Sequence, residues 1–156
     1  SVLEVMGRHA GHIALNTGLP CGATCILVPE VEFGVDQVIE KIKISQKLGK
    51  HHYIILVAEG IGKVDEISKQ IEAATGIETR GTVLGHVQRG GNPSVRDRVI
   101  ASQMGYRAVE LLEQGIGNRV IGLKNDHIVD YEIEEALAMK KSFDFDLYRT
   151  ANEISF

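Results

Sequence analysis

Residues 82–93 read TVLGHVQRGGNP, and this stretch governs the reading of the chain. An apolar run, Thr82-Val83-Leu84-Gly85, ends in a loop carrying His86 and Arg89. Gly90 and Gly91 follow, then Asn92-Pro93-Ser94 and a long helical pattern. The junction is strand, loop, helix, with two donor side chains beside a helix start. Glycine lets a ligand come close to the backbone. A helix N-terminus offers free N–H groups and a partial positive charge. An arginine can fork onto two oxygens of one anion. This chemistry points to a phosphate site. The plain alternative is a βα loop with a solvated arginine and a capping histidine.

Outward from this junction, β and α patterns alternate. Residues 2–5 (VLEV) read as a strand, then a glycine-bearing loop and a short helix from about Gly11 to Thr17. TCILV at 24–28 reads as a second strand, stopped by Pro29. Val35, Val38, Ile39, Ile42 and Leu48 form one apolar helical stripe, and Gly49 ends that helix. YIILVA at 53–58 is apolar throughout, as expected of a parallel strand buried on both faces. A helix over 64–75 ends at Gly76. Ser94, with Asp97 three residues on, forms a capping box for a helix to about Gln114. RVIGLK (119–124) and HIVD (127–130) read as a strand pair turned through Asn125-Asp126. Two short helical patterns close the chain. The alternation predicts an α/β fold with a mostly parallel, doubly wound or Rossmann-like sheet.

Composition narrows the function. The 156 residues are 44% hydrophobic and 24% charged, with a formal net charge of -4, so no basic field points to nucleic acid or an anionic membrane. No run is long and apolar enough for a transmembrane helix, and no signal peptide is evident. The chain begins without Met on a strand pattern, so a piece of a longer cytoplasmic protein is expected. Cys21 and Cys25 have no second cysteine pair for structural zinc and are expected to be two buried thiols. His9/His12 and His51/His52 lack an acidic partner at ligand spacing, so no metal site is assigned. There is no G-x-x-x-x-G-K-[ST] loop and no G-x-G-x-x-G after a strand.

In open α/β sheets, ligands bind outside the carboxyl ends of the strands. Three strand patterns here end in unusual polar residues: Met6-Gly7-Arg8, Glu59-Gly60, and His86 with Arg89. If those strands are parallel neighbours, Arg8, Glu59, His86 and Arg89 share one crevice. Three groups then serve anionic oxygens and one carboxylate serves hydroxyls. A sugar phosphate is the simplest ligand with that inventory.

EVMGRHAG, VAEGIG, ETRGTVLGHVQRGGNP and DRVIASQMGYRAVELL closely resemble bacterial ATP-dependent 6-phosphofructokinase, over essentially the whole chain but only the C-terminal half of that enzyme. The resemblance implies a Rossmann-like three-layer sandwich with a mostly parallel sheet. Residues of about 1–87 and 139–156 would form the sugar-phosphate lobe, and about 88–138 a segment of the ATP lobe. It implies fructose 6-phosphate contacts from Met6, Gly7, Arg8, Glu59, His86, Val87, Gln88 and Arg89. Arg8 would also offset charge on the transferring phosphoryl group, as the one catalytic side chain. Arg80 would reach across a subunit interface of a homotetramer.

The family's ATP-phosphate loop, Mg²⁺ carboxylate and aspartate base belong to its other half. ATP and Mg²⁺ are thus expected in the full-length enzyme, with none bound by these 156 residues, which alone should be inactive. The family's effector site, for ADP or phosphoenolpyruvate, would draw on Gly22, Ala23, Thr24, Lys50, His51 and His52. Thr24 stands where the family usually has a carboxylate, and Leu48 and His51 where it has cations, so effector control is expected to be weak. The alternatives are a non-catalytic sugar-phosphate-binding or regulatory module, or half of a pyrophosphate-dependent enzyme. The apolar face of the 94–114 helix (Val95, Val99, Ile100, Met104, Ala108, Leu111, Leu112) is expected to pack on a sheet this chain lacks.

Overall fold

The structure, a computed structural model, describes residues 1–155. The chain forms two compact units: Ser1–Gly90 with the segment from Phe143 onward, and Gly91–Ser142.

The first unit is built on four parallel strands, β1 (Val2–Val5), β2 (Cys25–Leu27), β3 (Ile55–Ala58) and β4 (Gly81–Val83), in the order β2-β3-β1-β4. Strand alternation splits the apolar residues between two faces. Val2, Cys25, Leu27, Ile55 and Val57 pack under α2 (Val35–Lys47) and α3 (Val64–Thr75), against Val38, Ile42, Val64, Ile67 and Ile71. Val5, Ile26, Val28, Leu56 and Ala58 pack against Ala14 and Leu15 of α1 (His12–Gly18) and Ala151 of α6 (Phe145–Glu153). The result is the three-layer α/β sandwich expected. All four residues of β3 are buried, as its unbroken apolar run requires.

Local signals set the helix ends. Gly49 takes φ 87 and donates to Gln46 at 3.0 Å, while Lys50 N–H bonds the Ser45 carbonyl at 3.0 Å. These two bonds satisfy two carbonyls of the last turn of α2, and the left-handed turn they need favours glycine. Strand β4 is shorter than the TVLG run suggests. Leu84 N–H still bonds Glu4 at 3.1 Å, but Leu84 turns to φ -72, ψ -39, and Gly85 to φ 53. The chain then winds as a 3₁₀ turn over Gly85–Arg89, so His86 and Arg89 sit on a short helix rather than an open loop. Cys25 is buried as expected, but Cys21 is exposed, because it lies in the turn after α1.

In the second unit, α4 (Val95–Glu113) starts at the Ser94/Asp97 capping box. The hairpin of β5 (Arg119–Lys124) and β6 (His127–Glu132) turns through Asn125 and Asp126, both left-handed, as a two-residue hairpin turn demands. The α5 helix (Ile133–Ala138) follows. Asp130 accepts from Arg107 at 2.9 Å and Arg119 at 2.6 Å, joining α4 to the hairpin. Hydrogen bonds from Arg107 first, then Arg119, hold its carboxyl below the usual range. Of α4's residues only Leu111 is buried, and Val95, Val99 and Leu112 stay exposed. No helix among the described residues is long and apolar enough to cross a membrane.

Ile42 is buried between α2 and the sheet. Ile42→Ala is expected to cost about 2–5 kcal/mol in urea unfolding, and Val109→Ala, on the exposed face of α4, about 0.5 or less. Equal losses at the two positions would contradict this layering.

Candidate functional site

Because β3 and β4 flank β1 in parallel, their carboxyl ends come together. Val5 stands opposite Ala58, and Glu4 opposite Val83. The exit segments therefore meet: Met6–Arg8 from β1, Glu59-Gly60 from β3, and the 3₁₀ turn of His86–Arg89 from β4. Glu59 Oε2 accepts the N–H of Gly7 at 3.1 Å and of Arg8 at 2.8 Å. Gln88 Oε1 accepts the N–H of Met6 at 2.8 Å. Gly60 makes the closeness possible, since a Cβ there would fall 2.6 Å from the Arg8 carbonyl oxygen. Arg8 itself is left-handed at φ 52, a conformation that costs a side-chain-bearing residue about 1–3 kcal/mol.

The charges at this edge are open. The side chains of Arg8, His86 and Arg89 are exposed and make no hydrogen bond or ion pair among the described residues. Glu59 is held below its usual value, first by the Arg8 N–H and then by that of Gly7, so it is an anion at neutral pH. Its Oε1 accepts no hydrogen bond among the described residues and is free for a hydroxyl donor. Glu4, one strand position from the exit, is pushed the other way by burial and then by the charge of Glu59. Val87 is exposed on the same turn. The arrangement can take a polyol through a carboxylate and an anion through arginines and an imidazole. The backbone N–H groups of Met6, Gly7 and Arg8 already have acceptors, so their part in ligand binding falls to side chains and carbonyls.

Two residues at this edge escaped the sequence reading: Glu4, a carboxylate inside a strand, and Glu30. Both oxygens of Glu30 accept the N–H of Gly11, at 2.8 and 3.1 Å. A charged residue three places beyond β2, at a fourth carboxyl end, was the signal available.

Other candidates lie at the opposite, amino end of the sheet. Arg80 passes its carbonyl to Val2 N–H at 2.9 Å, and its guanidinium pairs with Glu78 at 2.8 Å on the surface. It is not brought to His86. Gly22–Thr24 precede β2 and Lys50–His52 precede β3, so the two segments meet at that edge, where Thr24 N–H bonds Ile54 at 2.7 Å. Ala23 and Thr24 are buried, and the Thr24 hydroxyl has no partner among the described residues. Its side chain is therefore closed to a ligand from solvent. Lys50 Nζ donates to the Ser155 carbonyl at 2.9 Å. His51 and His52 are exposed and border a cavity of about 340 Å³ with Tyr53, Ile77 and Glu78.

The carboxyl edge of this α/β sheet thus carries two arginines, unpaired among the described residues, and an imidazole beside an ordered carboxylate. Comparison with known proteins places the chain in a family. The phosphofructokinase family model matches residues 1–112. The sequence is 55% identical over 154 residues to the ATP-dependent 6-phosphofructokinase of Bacillus cytotoxicus, covering 99% of this chain and 48% of that protein. It is 51% identical over 155 residues to that of Clostridium botulinum, covering 99% and 49%. Among solved structures, Pichia pastoris phosphofructokinase in the T-state superposes with a TM-score of 0.77 at 33% identity, over 88% of this chain and 16% of that one. The chain belongs to the phosphofructokinase family, and it spans about half the length of the curated relatives it matches.

The Glu59 anion and the Gly7 and Arg8 amides are one hydrogen-bonded unit, which gives a pH signature. A carboxyl whose folded pKa is depressed contributes stability at neutral pH and loses it as pH falls through the folded value. In ¹⁵N NMR of the chain, the Gly7 and Arg8 amide shifts should titrate together, with a midpoint below the ordinary glutamate value. Glu59→Gln should flatten both curves. Independent midpoints, or a titration that survives Glu59→Gln, would contradict the geometry.

Proposed function

We propose that this chain is the sugar-phosphate-binding half of a glycolytic ATP-dependent 6-phosphofructokinase, which moves the ATP γ-phosphoryl to the 1-hydroxyl of fructose 6-phosphate. The observation that carries the reading is that Glu59 bonds the Arg8 backbone while Gln88, on the turn that carries His86 and Arg89, bonds the Met6 backbone, at the exits of three adjacent parallel strands. The Glu59 carboxylate accepts sugar hydroxyls. His86 and Arg89, three residues apart on one 3₁₀ turn, hold the 6-phosphate, where a forked guanidinium adds both charge and geometry. Gln88 ties that turn to the Met6 backbone and so fixes its distance from the sugar. Val87 lines the same turn. Arg8 faces the reacting end and offsets charge as the phosphoryl passes, since positioning and charge neutralisation dominate this chemistry.

ATP and Mg²⁺ are assigned to the rest of the enzyme. Among the described residues no group of histidines, cysteines and carboxylates forms a metal site. In this reading, Ser1–Gly90 with the tail from Phe143 is the sugar-phosphate lobe, and Gly91–Ser142 belongs to the ATP lobe. Arg80, at the amino end of β4, serves the site of a neighbouring subunit. Gly22–Thr24 and Lys50–His52 form an effector edge for ADP or phosphoenolpyruvate, weakened by the buried Thr24 side chain.

Arg89→Ala in the full-length enzyme should raise KM for fructose 6-phosphate about 10- to 150-fold, the equivalent of a charge-assisted contact worth about 1.5–3 kcal/mol, with KM for ATP nearly constant. Mixed oligomers of Arg80→Ala and Arg89→Ala chains should regain some low-KM sites, because an intact Arg80 then meets an intact Arg89 across an interface. An unchanged KM in Arg89→Ala refutes the phosphate assignment, and mixtures with no recovery refute the action of Arg80 in trans.

A further inference from the structure

The loop that carries Arg8 is fixed at both ends by side chains from elsewhere in the sheet. At its front, Met6 N–H bonds Gln88, and the N–H groups of Gly7 and Arg8 bond Glu59. Inside it, Ala10 N–H bonds the Gly7 carbonyl at 3.0 Å, closing a turn with Arg8 in its left-handed corner. At its rear, Gly11 N–H is taken by both oxygens of the half-buried Glu30. Each strand other than β1 thus sends one acceptor to the exit of β1: Glu30 beyond β2, Glu59 after β3, and Gln88 beyond β4. Glu30 is the one member of the set to which no role has been assigned.

The rear anchor is built. Gly11 precedes α1 and has no side chain to cap it. A Cβ at Gly11 would lie 2.4 Å from Val28 and 2.7 Å from Glu30 Oε2, so glycine is what lets the carboxylate reach the backbone. Beyond Gly11, Ala14 and Leu15 are fully buried and fix α1 to the sheet. Only His9 and Ala10 lie between Arg8 and this anchor. A left-handed arginine keeps its conformation only where its surroundings over-determine it, and without Glu30 the rear of the loop loses its only side-chain restraint among the described residues.

We propose that Glu30 is a positioning residue for Arg8. It holds Gly11, and through the closed turn it keeps the guanidinium aimed at the ligand without touching the ligand itself. This inference rests on the functional reading of Arg8, and the test has one arm that does not.

The first arm is amide hydrogen exchange on the 156-residue chain. Glu30→Ala should speed exchange at Gly11 and Arg8 about tenfold, as loss of one charged acceptor implies, with Val57 in β3 unchanged. Glu30→Gln keeps an acceptor oxygen and should restore most of the protection. The second arm is kinetics of the full-length enzyme. Glu30→Ala should lower kcat about 10- to 100-fold, with KM for ATP unchanged and partial rescue by Glu30→Gln. Unchanged exchange at Gly11 and Arg8 overturns the proposal. So does acceleration that reaches Val57 in both variants, which would make Glu30 a general support of the fold. So does faster loop exchange with unaltered kcat in an enzyme that Arg8→Ala impairs. If Arg8→Ala is itself silent, the functional reading fails, and the exchange arm alone decides whether Glu30 positions the loop.

Discussion

The structure depends on one constraint, the parallel placement of β1 between β3 and β4. Parallel neighbours send their carboxyl ends to the same edge, so three segments far apart in sequence leave the sheet side by side. The pairing of Val5 with Ala58 and of Glu4 with Val83 sets the register. A shift of one residue would turn the inward set of side chains outward and separate Glu59 from the amides it holds. The apolar layers on both faces of the sheet enforce that register, so core packing and site geometry share a cause.

Charge placement separates function from structure within this frame. Of the eight arginines in the sequence, Arg80, Arg96, Arg107, Arg119 and Arg149 form ion pairs. Arg8 and Arg89, both at the carboxyl edge, form none among the described residues, and neither does Arg98. An arginine left without a partner beside a depressed carboxyl adds little to folding. Its charge is available to a ligand. Glu59 divides its two oxygens in the same way, one fixing the backbone and one left open.

Much of this was legible in the sequence because the signals are local. Gly49 and Gly76 mark helix ends, Ser94 and Asp97 mark a start, and the apolar run before Glu59 marks a buried strand. That the segments carrying Arg8, Glu59, and His86 with Arg89 leave the sheet side by side followed once the strands were taken as parallel neighbours. What was missed depends on tertiary contacts. The 3₁₀ turn at Gly85–Arg89 is too short to carry a hydrophobic period. Cys21 falls in the turn three residues past the end of α1, which has no apolar period to mark its exposure. The burial of Thr24 follows from layers on both sides of the sheet, and its hydroxyl left no mark in the pattern. Glu30 bonds a backbone N–H 19 residues away, a pairing that leaves no periodic trace.

Everything proposed for this chain turns on whether the carboxyl edge of its sheet takes a sugar phosphate. A ¹⁵N NMR titration of the chain with fructose 6-phosphate, with unphosphorylated fructose as control, tests it most directly. Saturable shifts are expected at Arg8, Gly60, His86 and Arg89, much weaker with fructose, and none at His51 or His52. Shifts confined to the His51–His52 edge, or equal responses to fructose and its phosphate, would contradict it.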